Sequence, residues 1–179
     1  YRDLIEKDVS DMLYLLQGNI AHELLEIAYK ELVAEKGEES CFAEKRLSLK
    51  MIFEHNGEKH TKSISGAPDL VDLEQKSLLD YKYVKVKSME RNRDNWILQT
   101  NMYRYLLAKH GYEINDIKII VMCADYNKME SIRNHDYPSS PIVTIQVPLM
   151  PFDVVRQEMI KRIILINNHS NKAILPACS

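Results

Sequence analysis

Cysteine is scarce, and the three that occur, Cys41, Cys123 and Cys178, are too widely separated to match a zinc or iron-sulfur ligand spacing. An odd number also leaves a thiol over in any disulfide scheme, so the expectation is reduced cysteines in a cytosolic protein. Long apolar runs are missing. Stretches such as Ile163 to Ile166 fall far short of a bilayer's thickness, and the opening YRDLIEKDVS has no basic region leading into an apolar one. No membrane partner is expected, and the expected location is the cytoplasm. Nor does one sign of charge dominate: 24 Lys and Arg stand against 26 Asp and Glu, a formal net charge of -2. A globally basic, nucleic-acid-coating protein is thereby excluded, and any DNA binding must come from a local patch. Internal repeats and low-complexity tracts are absent. What remains is a chain of 179 residues, 45% hydrophobic, long enough for one sizeable core and read as a single domain over residues 1–179. Its opening on Tyr1 instead of Met, and its ending LPACS, lead us to expect residues beyond one or both ends.

Apolar periodicity gives the elements. Residues 3–35 read as a helix, with Leu13, Leu16, Ile20, Leu24 and Ile27 at three- and four-residue spacing and a second stripe through Leu15, Gly18, His22, Leu25 and Tyr29. Gly37 suits its C-cap. Residues 47–53 alternate as a strand, Asn56-Gly57 is a hairpin signal, and residues 59–64 should return antiparallel. Residues 69–73 and 78–83, joined by the polar EQKS, continue this into an antiparallel meander. A helix follows over 95–109, stopped by Gly111, then a buried strand in IKIIVMCADY, an edge strand in PIVTIQVPL bounded by Pro141 and Pro148, and a last helix from Pro151 or Phe152. This order predicts an α/β protein with a mixed β-sheet flanked by helices.

The 69–73 and 78–83 hairpin carries a feature that an ordinary sheet avoids. With a loop of two or four residues, Asp69 faces either Asp80 or Lys82, and all three side chains then point to one side. Like charges across strands destabilise a sheet, so something must offset them. A hard divalent cation, which takes oxygen ligands, would do so. An isolated Asp-x-Lys, however, is more often a pair of solvated charges.

The wider pattern resembles a known family. Gly66-x-x-Asp69 followed by Asp80-Tyr81-Lys82 is similar to the motif of the PD-(D/E)XK nuclease superfamily, and Gln99 with Tyr103 resembles the Gln-x-x-x-Tyr helix of its RecB-like branch. His22, in GNIAHELLE, is similar to the histidine that branch carries on an upstream helix. The resemblance implies a restriction-endonuclease-like α/β fold and a Mg²⁺- or Mn²⁺-dependent deoxyribonuclease, an exonuclease of DNA repair or recombination, phage-encoded in some of its forms. It implies metal held by His22, Asp69, Asp80 and the Tyr81 main-chain carbonyl, and catalysis by Asp69, Asp80, Lys82, Gln99 and Tyr103. Asp72 is the residue that could be mistaken for Asp69, but three residues along it should face the other side of the strand.

Related CRISPR-associated nucleases carry four cysteines for an iron-sulfur cluster. That set is missing here, and no cluster is expected. The segment KYVKVKSMERNRD holds five basic and two acidic side chains. Lys85, Lys87, Arg91 and Arg93 are therefore candidates for contacts to DNA phosphates, on equal terms with a solvated loop. A homo-oligomer or a recombination partner protein stays open. The competing reading is a catalytically silent PD-(D/E)XK DNA-binding or assembly module, since a fold can outlive its activity.

Overall fold

In a computed structural model the chain is described over residues 39–172, and before them over residues 29–37 with Glu23 and Ile27; of residues 167–172 the backbone alone is described. His22, Gly18, most of the expected first helix and Cys178 lie outside the described residues. The helical stretch over residues 29–36 (α1) ends at Gly37, whose φ of +88° is a left-handed value glycine adopts without strain and whose N–H returns to the Val33 carbonyl at 2.8 Å.

Next come strands Cys41–Ala43 (β1), Leu47–His55 (β2), Glu58–Gly66 (β3), Leu70–Asp72 (β4) and Ser77–Val84 (β5). Helix Val86–Lys109 (α2) leads to strand Asp116–Cys123 (β6), the short helix Lys128–Arg133 (α3), strand Ile142–Gln146 (β7) and helix Phe152–Lys172 (α4). The main sheet has the order β1-β4-β5-β6-β7. Its β5–β6 pair is parallel, bridged by α2, and its other pairs are antiparallel. This is a mixed α/β fold with helices on the sheet, and β7 lies at the edge expected of a strand bounded by prolines.

Three details correct the sequence reading. The expected meander is broken: β2 and β3 form a two-stranded sheet of their own, and β4 pairs with β1 instead of β3. Pro68 has no N–H to continue a ladder, and the Pro68 and Asp69 carbonyls are taken by the Glu44 N–H beyond β1. β1 itself is too short for periodicity to reveal. Finally, α2 begins at Val86 and not near 95, so the polar, basic segment is helical. Its first N–H, from Val86, is accepted by Asp125 Oδ1 at 2.7 Å, a cap supplied from beyond β6 that no local spacing could disclose.

Two clusters hold the layers together. Leu78, Ile117, Ile119 and Val121 on one face of the sheet meet Trp96 and Leu107 of α2. Met51 of the hairpin, Tyr105 of α2, and Val155 and Met159 of α4 form a second, smaller core. Helix α2 is thus packed on both sides. Asn101, fully buried in it, donates to the Ile97 and Pro148 carbonyls (2.9 and 3.1 Å) and accepts from the Met150 N–H (2.9 Å), tying the β7–α4 connection to α2. Cys41 and Cys123 are buried in separate strands, and burial pushes both thiols up, away from the thiolate form that metals take. Among the described residues no helix is long and apolar enough to cross a membrane.

Candidate active site

The β4–β5 register pairs Leu70 with Leu79 and Val71 with Leu78, and one step further it sets Asp69 opposite Asp80. Of the two alternatives open from sequence, this is the carboxylate against the carboxylate. Side-chain alternation along β5 aims Leu78, Asp80 and Lys82 at α2, while Tyr81 turns to the opposite face and stacks on Tyr29 of α1, ring centroids 5.1 Å apart. Asp72 belongs to the α1 side as well. Its Oδ2 lies 3.1 Å from Lys36 Nζ and its Oδ1 accepts the Gln75 N–H at 2.8 Å, so it closes the turn and anchors α1.

Asp69 stands just before β4 begins, where the ladder beside β5 runs out. Its Oδ2 accepts the Tyr81 N–H at 2.7 Å, so the carboxylate replaces the missing ladder carbonyl and is thereby oriented toward β5. Asp80 is more deeply placed, 1% exposed, with Oδ2 2.8 Å from Lys82 Nζ, an ion pair rather than an aligned hydrogen bond. Lys82 is 19% exposed, so solvent and ligands reach the pair from the lysine side. Part of the offset that the opposed carboxylates require therefore comes from Lys82 itself, which the sequence reading had assigned to a cation.

Gln99 and Tyr103 stand one turn apart on α2, with Gln99 Nε2 donating to Tyr103 Oη at 3.0 Å. Burial pushes the Tyr103 phenol above its ordinary value. The Gln99 amide pulls it down, Asp80 pushes it up, Lys82 pulls it down and Asp69 pushes it up, all less than burial does. Gly66 makes this approach possible. A Cβ on it would stand 2.7 Å from Tyr103 Cε1 and 3.1 Å from Cδ1, so the ring packs directly on the β3 backbone.

The proposed DNA-contacting residues are less unified. Lys85 is the extended residue that caps α2, Lys87 and Arg91 share one side of the helix four residues apart, and Arg93 falls on another side. All four are exposed, but Lys87 borders a cavity whose other walls include Glu90, Glu130 and Asp136. Sequence reading missed Arg162 of α4, which donates to Asn95 Oδ1 at 3.3 Å and so reaches α2 close to Gln99. No spacing signals it, because the α2–α4 contact is purely tertiary.

The donor set suits a hard cation: two carboxylates facing across the hairpin, and a peptide carbonyl at Tyr81. Among the described residues no three His, Cys, Asp or Glu side chains gather, and the third side chain expected, His22, lies outside them. No family model matches the chain, and neither does any curated protein. Among solved structures it is similar to the crystal structure of SSO0001, with a TM-score of 0.51 and 12% identity over 84% of this chain. The match spans 60% of that protein's length, and at this identity the likeness is one of fold.

Proposed function

We propose that the protein is a RecB-like PD-(D/E)XK nuclease, a Mg²⁺- or Mn²⁺-dependent deoxyribonuclease acting as an exonuclease in DNA repair or recombination. The observation that carries this reading is the convergence of Asp69, Asp80 and Lys82 on the sheet face packed by α2, the helix that bears the Gln99–Tyr103 pair. Asp69, Asp80 and the Tyr81 carbonyl would hold the cation, joined by His22. When bound, such an ion supplies a water of lowered pKa and offsets phosphate charge. Lys82, paired with Asp80 and partly exposed, would orient the attacking water and take part in its deprotonation. Gln99 and Tyr103 would position the phosphodiester through an amide and a phenol set at one spacing. In-line attack on phosphorus would leave a 5′ phosphate and a 3′ hydroxyl.

The test is incubation of labelled linear and circular DNA, single- and double-stranded, with Mg²⁺ and with Mn²⁺. Cleavage that is lost in Lys82→Ala and Asp80→Asn supports the reading. Absence of cleavage on every substrate, with Mn²⁺ binding demonstrated by calorimetry, would replace it with the silent DNA-binding or assembly module.

A further inference from the structure

A cavity of about 230 Å³ opens between β3, α2 and α4 on the far side of Tyr103 from the main core. Among the described residues its floor is Met102, Met159, Ile163 and Leu106, and its rim includes Ser65, Gln99 and Arg162. Tyr103 and Gln99 line this cavity and are also the α2 residues of the candidate active site. The floor is apolar and partly thioether, a surface that adapts to a flat ring. The Gln99 amide and the Arg162 guanidinium in the lining are donors and acceptors suited to base edges and phosphate.

Resting on the nuclease reading, we propose that this cavity receives one unstacked nucleobase of a DNA strand whose backbone crosses Asp69, Asp80 and Lys82. A base that leaves its stack is bound by aromatic and apolar surfaces together with edge hydrogen bonds. A volume of about 230 Å³ suits one base and not a pair, so the substrate this implies is single-stranded DNA or a frayed end. The Arg162 guanidinium in the lining fits a phosphate beside the inserted base.

The experiment is abasic scanning. Fluorescein-labelled oligothymidylates, each lacking one base at a successive position, are titrated into the full chain with Ca²⁺ in place of Mg²⁺, and anisotropy reads the affinity. A loss of between about fivefold and about a hundredfold at a single position is expected, the effect of one missing stacked base. That position-specific loss should vanish in Ile163→Trp, which fills the cavity, and in Ile166→Trp, which narrows its mouth from an exposed position on α4. A flat scan in wild type, or a loss that persists in both variants, overturns the cavity assignment. A parallel arm with Mg²⁺ and Mn²⁺ separates the two failures. A flat scan with cleavage intact removes only the base pocket, whereas no binding and no cleavage of any DNA removes the nuclease reading and the pocket with it.

Discussion

Gly66→Ala is the substitution whose outcome follows most directly from distances. A methyl group at this position would sit 2.7 Å from Tyr103 Cε1, well inside the roughly 3.5 to 4.0 Å at which carbons attract, and 3.4 Å from Leu106 Cδ1. A shift of the ring into the cavity beside it would give up its packing on the main core and the Gln99 hydrogen bond to its hydroxyl. Overpacking of this kind costs about 1–3 kcal/mol. In a chain of this length that corresponds to a fall in Tm of about 2–12 °C. The backbone at Gly66 is not left-handed, so the effect should come from contact and not from φ. Relief is therefore available: in the Gly66→Ala, Tyr103→Leu double variant the second change should be less destabilising than in the wild-type background, the non-additivity expected of touching residues. Thermal melting by circular dichroism of the four proteins reads both quantities. A Gly66→Ala variant that melts within about 1 °C of wild type, or fully additive losses, would refute the idea that Tyr103 is seated on the β3 backbone.

Other expectations concern charge and buried polarity. Lys82→Met should tighten Mn²⁺ binding several-fold in calorimetric titration, because Asp80 would no longer share its oxygen with an ammonium 2.8 Å away; weaker binding would mean that Lys82 helps hold the ligands in place. Burial alone would raise the Asp72 carboxyl, but the Gln75 N–H and the Lys36 ammonium outweigh it and hold it below the usual carboxylate range. Its contribution to stability is then present above the unfolded pKa of about 3.9 and lost as pH falls from there through the lower folded value, so Asp72→Asn should flatten the acid limb of a Tm-against-pH curve. Asn101→Leu strands the Met150 N–H and the Pro148 carbonyl, which should lower stability by about 1–3 kcal/mol in urea melts, with Mn²⁺ affinity unchanged.

How legible the candidate site was in the sequence depends on the range of the interaction that builds it. Asp69, Asp80 and Lys82 could be put on one face because strand alternation and a four-residue turn are local rules, and Asp72 could be set aside by the same parity. Gln99 and Tyr103 were adjacent by helical spacing alone. Whatever depended on a distant partner stayed hidden. The start of α2 is set by Asp125, 39 residues away, and a basic stretch without that cap reads as loop. The separate hairpin sheet is equally non-local, since it follows from β1 occupying the seat beside β4. The ion pair between Lys82 and Asp80 lay within two residues yet was not foreseen, because the lysine had been assigned wholly to chemistry.

The isolation of the β2–β3 hairpin from the main sheet bears on how this molecule can change over evolutionary time. Residues can be added or removed around the Asn56-Gly57 turn in pairs without altering a single partner in the five-stranded ladder, since no strand of that sheet takes its register from the hairpin. The opposite end enjoys no such freedom, because Gly66 must pass a side-chain ring at van der Waals distance. One hairpin therefore joins a tip open to diversification to a root under steric veto, and the tip can lengthen while Tyr103 stays where it is.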